Sequence, residues 1–88
     1  MNWSYSFAEQ ARKDFLRLDR QVQKQILRYF DTRLAGTGNP RRFGKALRGD
    51  LAGVWRYRVG DHRILCHIKE RQLLILIVGV GHRKNVYD

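Results

Sequence analysis

One cysteine, Cys66, stands among 88 residues, which excludes an internal disulfide and leaves no Cys/His cluster with zinc-site spacing. No metal or cofactor is therefore expected. The longest apolar run, Leu73 to Val80, is too short to cross a bilayer. The opening MNWSYSFAEQ has no basic segment followed by an apolar one, so it does not read as a signal peptide. These absences point to a reducing compartment, the cytoplasm, and to no membrane partner. Repeats and low-complexity tracts are missing too, and a chain of this length makes one domain, residues 1–88. Gly44 and Gly49 flank Lys45 without the spacing of a P-loop, and no RNP, KH or zinc-finger pattern occurs.

Acidic residues are scarce: 8 Asp and Glu stand against 18 Lys and Arg, a formal net charge of +10. Seven basic and four acidic side chains fall in residues 1–40, and eleven and four in residues 41–88. Such an imbalance opposes compaction by self-repulsion and favours a polyanion or an acidic protein as partner. Thirteen of the basic residues are arginines, whose planar fork suits bidentate contact with phosphate. With 43% hydrophobic residues, the chain is still a folded domain and not a basic tail.

Hydrophobic periodicity sets the order of elements. WSYSF (Trp3 to Phe7) alternates with the period of a half-buried strand. From Ala8 the period lengthens: Ala11, Phe15 and Leu18 share one helical face, with Glu9, Arg12, Lys13 and Arg17 outside. Asp19 is placed to cap a second helix, whose stripe of Val22, Ile26, Phe30 and Leu34 runs to a stop at Gly36 and the turn residues GTGNP. The basic, Gly-rich stretch from Arg41 to Gly53 is expected to cross the surface. Three strands follow: VWRYRV (Val54 to Val59), RILCHIK (Arg63 to Lys69) and LLILIVGV (Leu73 to Val80), joined by turns at Gly60–His62 and Glu70–Gln72. The expected fold is α+β, in the order β-α-α-β-β-β, an antiparallel sheet with the helix pair packed on one face.

Period 2 sends Arg56 and Arg58 to one face of the sheet and Trp55, Tyr57 and Val59 to the other. A tight hairpin brings Arg63 beside Arg58, with Leu65 and His67 on the same face. Three gathered guanidiniums repel one another unless an anion lies among them. The last strand then delivers Gly81, His82, Arg83 and Tyr87 to the same end. Arg83 suits charge stabilisation on a scissile phosphate, Tyr87 suits stacking or hydrogen-bond donation, and His82 suits proton transfer near neutrality.

The segments LRG…G.WRYR.GDHR and VGHR..VY within Ala46–Asp88 resemble the RelE/ParE superfamily of bacterial toxin–antitoxin toxins, its RelE branch most closely, and the helix pair before them fits in length and order. The resemblance covers essentially the whole chain. It implies a microbial-RNase-like fold and ribosome-dependent cleavage of mRNA in the A site of the 70S ribosome by attack of the 2′-OH. It also implies neutralisation by a cognate antitoxin and contact with operator DNA only through the toxin–antitoxin complex. By position, the family's catalytic residues fall on Arg56, Arg58, Arg63, Arg83 and Tyr87. Arg41, Arg42, Lys45, Arg48 and Lys84 are the expected RNA- and ribosome-binding set. Well-studied RelE toxins have lysines where Arg56 and Arg58 stand, and arginine does not lose its proton at working pH. The base role therefore stays open between His82 and Tyr87. The rival within the superfamily is a ParE-like toxin that binds DNA gyrase and cuts nothing. A non-catalytic RNA-binding or ribosomal protein is the third reading.

Overall fold

The alternation of WSYSF forms the strand it predicts, β1 (Ser4–Phe7), with Ser4 and Ser6 exposed and Tyr5 and Phe7 half-buried. The computed structural model describes residues 3–35 and 38–82; Gly36, Arg83, Lys84 and Tyr87 lie outside the described residues. Helix α1 (Glu9–Leu16) buries Ala11 and Phe15, as the spacing requires. Helix α2 (Arg20–Tyr29) starts after Asp19, which occupies the N-cap position without a side-chain capping bond. Gln23 closes the turn between the helices: its Nε2 donates to the carbonyls of Leu18 at 2.8 Å and Leu16 at 3.3 Å.

The periodicity predicted one helix through Leu34, but α2 gives way to a wider π-helical turn over Phe30–Leu34. Thr32 Oγ1 donates to the Arg28 carbonyl at 2.7 Å, taking an acceptor that the helical ladder would otherwise use. The Ala35 N–H then bonds the Phe30 carbonyl at 2.8 Å. The wide turn keeps both Phe30 and Leu34 fully buried, in line with Ile26.

Five strands form one sheet in the order β1-β5-β4-β3-β2, where β2 is Lys45–Ala46, β3 Trp55–Val59, β4 His62–Lys69 and β5 Leu74–His82. Two features depart from expectation. The stretch from Arg41 to Gly53 is not all loop: its two-residue β2 pairs with β3 through Lys45–Arg56 and Ala46–Trp55. And β1 runs parallel to β5, from Ser4–Leu74 to Phe7–Ile77, so the sheet is mixed: its other pairings are antiparallel. Alternation encodes which face a residue takes, and not which neighbour its strand pairs with or in which direction.

The β3–β4 hairpin closes over Gly60–Asp61, with a left-handed φ of +59° at Gly60 and none at Asp61, the pattern of a type II′ turn. Its register puts Tyr57, Val59, Ile64 and Cys66 on the helix side, where they join Ile26, Phe30, Ile75 and Ile77 in the core. Tyr57 is fully buried, and its hydroxyl donates to the Pro40 carbonyl at 3.0 Å, tying the loop after the helices to the sheet. Gly44 lies over that ring; a Cβ there would meet Tyr57 at 3.0 Å. Burial pushes the Cys66 thiol up, so it behaves as a small apolar side chain.

Between β4 and β5 the register slips by one: Leu65 faces Gly79, yet Cys66 faces Ile77. Val78 is the extra residue of this bulge. Before it Ile75 and Ile77 point at the helices; after it Val80 and His82 do, opposite Ile64 and His62. We expect Ile64→Ala to cost about 2–5 kcal/mol and Tyr57→Phe about 1 kcal/mol, read as lower urea midpoints with unchanged slopes.

Candidate functional site

On the face away from the helices, β3 carries Arg56 and Arg58, and β4 carries Arg63, Leu65 and His67. Cross-strand pairing sets Arg58 directly opposite Arg63 and Lys45 directly opposite Arg56. Four cations therefore share one patch of sheet, and like charges directly opposite are unfavourable without a counter-charge. Arg58 is exposed and Arg56 half-buried, whereas Arg63 is only 7% exposed. On β5 the residues opposite Leu65 and Arg63 are Gly79 and Gly81, so β5 itself raises no side chain beside that row. This face is a shallow trough whose accessible positive charge comes from the exposed Arg58 and the half-buried Arg56, with Arg63 buried behind them, an arrangement that suits phosphate oxygens.

The remaining residues expected from the sequence divide. Arg41 is engaged within the protein: its Nη2 lies 2.7 Å from Glu70 Oε1 and its guanidinium sits 5.8 Å from the Trp55 ring centre. Arg42 is exposed and stacks on Phe43 at 5.9 Å. Arg48 is exposed at the start of the turn Gly49–Leu51. Arg83, Lys84 and Tyr87 lie outside the described residues. His82 is not brought to the arginine face. The bulge turns it to the opposite face, where its ring meets His62 edge-on at 5.5 Å.

His62 was read from sequence as part of the turn. Its place as the first residue of β4 follows from the two-residue Gly60–Asp61 turn, which is the signal that would have found it. Partial burial is the main cause that holds its imidazole below the usual histidine range; the neighbouring His82 adds to this, and Asp61 opposes it. Among the described residues, no three His, Cys, Asp or Glu side chains gather where they could hold a metal. Nor is any helix among them long and apolar enough to cross a membrane.

A depressed His62 means that the unfolded chain binds the extra proton first. The stability contribution is complete above the ordinary histidine value and shrinks as pH falls towards the folded one. We expect the His62 ring protons to titrate below those of a free histidine by NMR, and His82→Asn to move that midpoint upward.

A family model described as the ParE toxin of type II toxin–antitoxin systems, parDE, matches residues 5–87. The toxin RelG of Mycobacterium tuberculosis is 30% identical over 87 residues, covering 99% of this chain and 98% of that protein. The toxin RelE of the same organism is 30% identical over 77 residues, covering 88% and 77%. Among solved structures, a RelBE toxin–antitoxin complex from M. tuberculosis superposes with a TM-score of 0.84 at 29% identity, covering 94% of this chain and all of that one. An archaeal RelE–RelB complex from Pyrococcus horikoshii shares the fold at a TM-score of 0.71 and 23% identity, covering 98% and 100%. The chain therefore belongs to the RelE/ParE toxin family of type II toxin–antitoxin systems, on its RelE-like branch.

Proposed function

We propose that this toxin is an endoribonuclease that cleaves mRNA in the ribosomal A site. The observation that carries the reading is the outward face on which Arg58 stands opposite Arg63 and Lys45 opposite Arg56, in a chain similar to RelE toxins. RNA supplies its own nucleophile. The 2′-oxygen attacks the adjacent phosphorus, the bond from phosphorus to the 5′-oxygen breaks, and the products are a 2′,3′-cyclic phosphate and a free 5′-hydroxyl. One group removes the 2′ proton and another protonates the leaving oxygen. Arg56, Arg58, Arg63 and Arg83 are assigned to the charge that builds on the phosphate oxygens. They stay protonated, so none is the base.

Proton transfer falls to Tyr87 or His82, with Tyr87 favoured because His82 pairs with His62 on the other face. The open trough does not by itself hold a flexible strand in line for attack, which supports a ribosome that presents the codon already oriented. Lys45, Arg42, Arg48 and Lys84 are assigned to RNA and ribosome binding. Arg41, paired with Glu70, is the weakest member of that set. A cognate antitoxin, as in the solved RelBE relative, is the proposed protein partner, with operator DNA reached only through that complex and the cytoplasm as the place of action.

The matching family model is that of a ParE toxin, so gyrase inhibition is kept as the second reading. Purified toxin added to programmed ribosomes and to free mRNA in parallel, with cuts mapped by primer extension, separates the two. We expect A-site cuts with ribosomes and few without. Arg56→Ala and Arg58→Ala should each slow cleavage roughly 100-fold or more. No cuts in either tube, together with blocked supercoiling by gyrase, would establish the second reading instead.

A further inference from the structure

A second basic site lies around the corner of the sheet from the arginine trough. The C-terminal end of α2, the π-helical turn and the end of β3 enclose a cleft of about 540 Å³, lined chiefly by Arg28, Tyr29, Arg33, Phe43, Arg58 and Gly60. Arg28, Arg33 and Arg58 are exposed there, while Tyr29 and Phe43 are half-buried and form its aromatic wall. The Arg33 guanidinium already lies over the Tyr29 ring at 5.9 Å. No acidic side chain lines the cleft among the described residues. Asp31, the nearest acid on the same turn, accepts the Tyr5 hydroxyl at 2.7 Å, and Asp61 follows Gly60 without lining the cleft.

The cleft has an approach. Arg20, Lys24 and Arg28 are all exposed on α2 at four-residue intervals. That spacing places one cation about every 6 Å along the helix axis, on a single face. Arg58 belongs at once to the cleft and to the outward face of β3, so the basic track runs from α2 through the cleft into the trough.

We propose that this cleft holds the flank of a single-stranded RNA whose scissile phosphate lies in the trough: phosphates against Arg28, Arg33 and Arg58, a further phosphate on Lys24 at the approach along α2, and a base stacked on Phe43 or Tyr29. Besides its charge and aromatic faces the cleft is lined, among the described residues, by only two neutral polar side chains, Gln25 and Thr32, and the Thr32 hydroxyl already donates to the Arg28 carbonyl; such a lining suits largely sequence-tolerant binding of single strands. A protein segment would instead need exposed apolar anchors, and Leu16, at the end of α1, is the large hydrophobic residue most exposed among those described. The inference rests on the RNA reading above, but its test does not depend on cleavage.

The probe is a fluorescent 2′-O-methyl oligoribonucleotide, whose blocked nucleophile prevents cutting, with binding followed by anisotropy across a salt series. For single strands, each lost phosphate contact lowers the slope of log K against log salt by about 0.7. We expect Arg28→Gln/Arg33→Gln to lower it by about 1.4, and Arg28→Lys/Arg33→Lys to restore it. Phe43→Leu should weaken binding roughly 5-fold or more at an unchanged slope. Lys24→Gln, on the solvent side of α2, supplies a substitution that leaves the core untouched and should lower the slope by about 0.7. Wild-type slope and affinity in folded Arg28/Arg33 and Lys24 variants would overturn the proposal. The same result with loss of antitoxin binding would give the cleft to an acidic protein segment. Binding that behaves as expected in a chain that never cuts ribosomal mRNA would leave this site standing and remove the nuclease reading alone.

Discussion

The register of the β3–β4 hairpin governs both the stability of this protein and its chemistry. Gly60 adopts the left-handed φ that a two-residue turn needs, and Val59 thereby meets His62, Arg58 meets Arg63 and Tyr57 meets Ile64. Side chains alternate strictly across a strand, so a slip of one residue on β3 would send Arg56 and Arg58 into the core and Tyr57 into water. Burying those guanidiniums without partners would cost several kcal/mol each, against a total stability of about 5–15 kcal/mol for a typical domain. The packed face and the basic face are thus two consequences of one pairing. Neither can move without the other.

A second constraint works locally. The bulge at Val78 reverses the alternation of β5 near its end, so the residues flanking Arg63 and Leu65 are glycines and His82 turns towards the helix side. Bulges commonly re-aim side chains beside functional sites. Here the bulge clears the trough and separates the imidazole pair from the arginines. The same strand therefore serves as the wall of the core through Ile75 and Ile77 and as the bare edge of the trough through Gly79 and Gly81.

Much of this was legible in the residues. The 3.6-residue stripes of Ala11 and Phe15 and of Ile26, Phe30 and Leu34 mark the buried helix faces, and WRYRV divides correctly into buried Tyr57 and Val59 and outward Arg56 and Arg58. The RelE-like pattern was readable in Ala46–Asp88. Four features were not. The parallel pairing of β1 depends on strand direction, which alternation does not encode, and β2 is too short to carry a period. The bulge is a single inserted residue inside an apolar run, so the opposite placement of His82 leaves no trace in composition. The cleft joins Arg28 to Arg58, thirty positions apart, and Arg28 by itself reads as one more solvated residue on a helix.

This toxin is a small basic body, and its outward Arg56 and Arg58 are held by a sheet whose other face is the core. The claim on which the functional reading turns is that RNA lies against Arg56 and Arg58, and not on the helix α1 side of the molecule. An NMR titration of arginine side-chain Nε–H signals with an uncleavable oligoribonucleotide tests it most directly. Shifts concentrated on Arg56 and Arg58, with Arg12 and Arg17 of the α1 region unmoved, are the result we expect. Signals of Arg56 and Arg58 that stay in place while those of Arg12 and Arg17 shift would contradict the account.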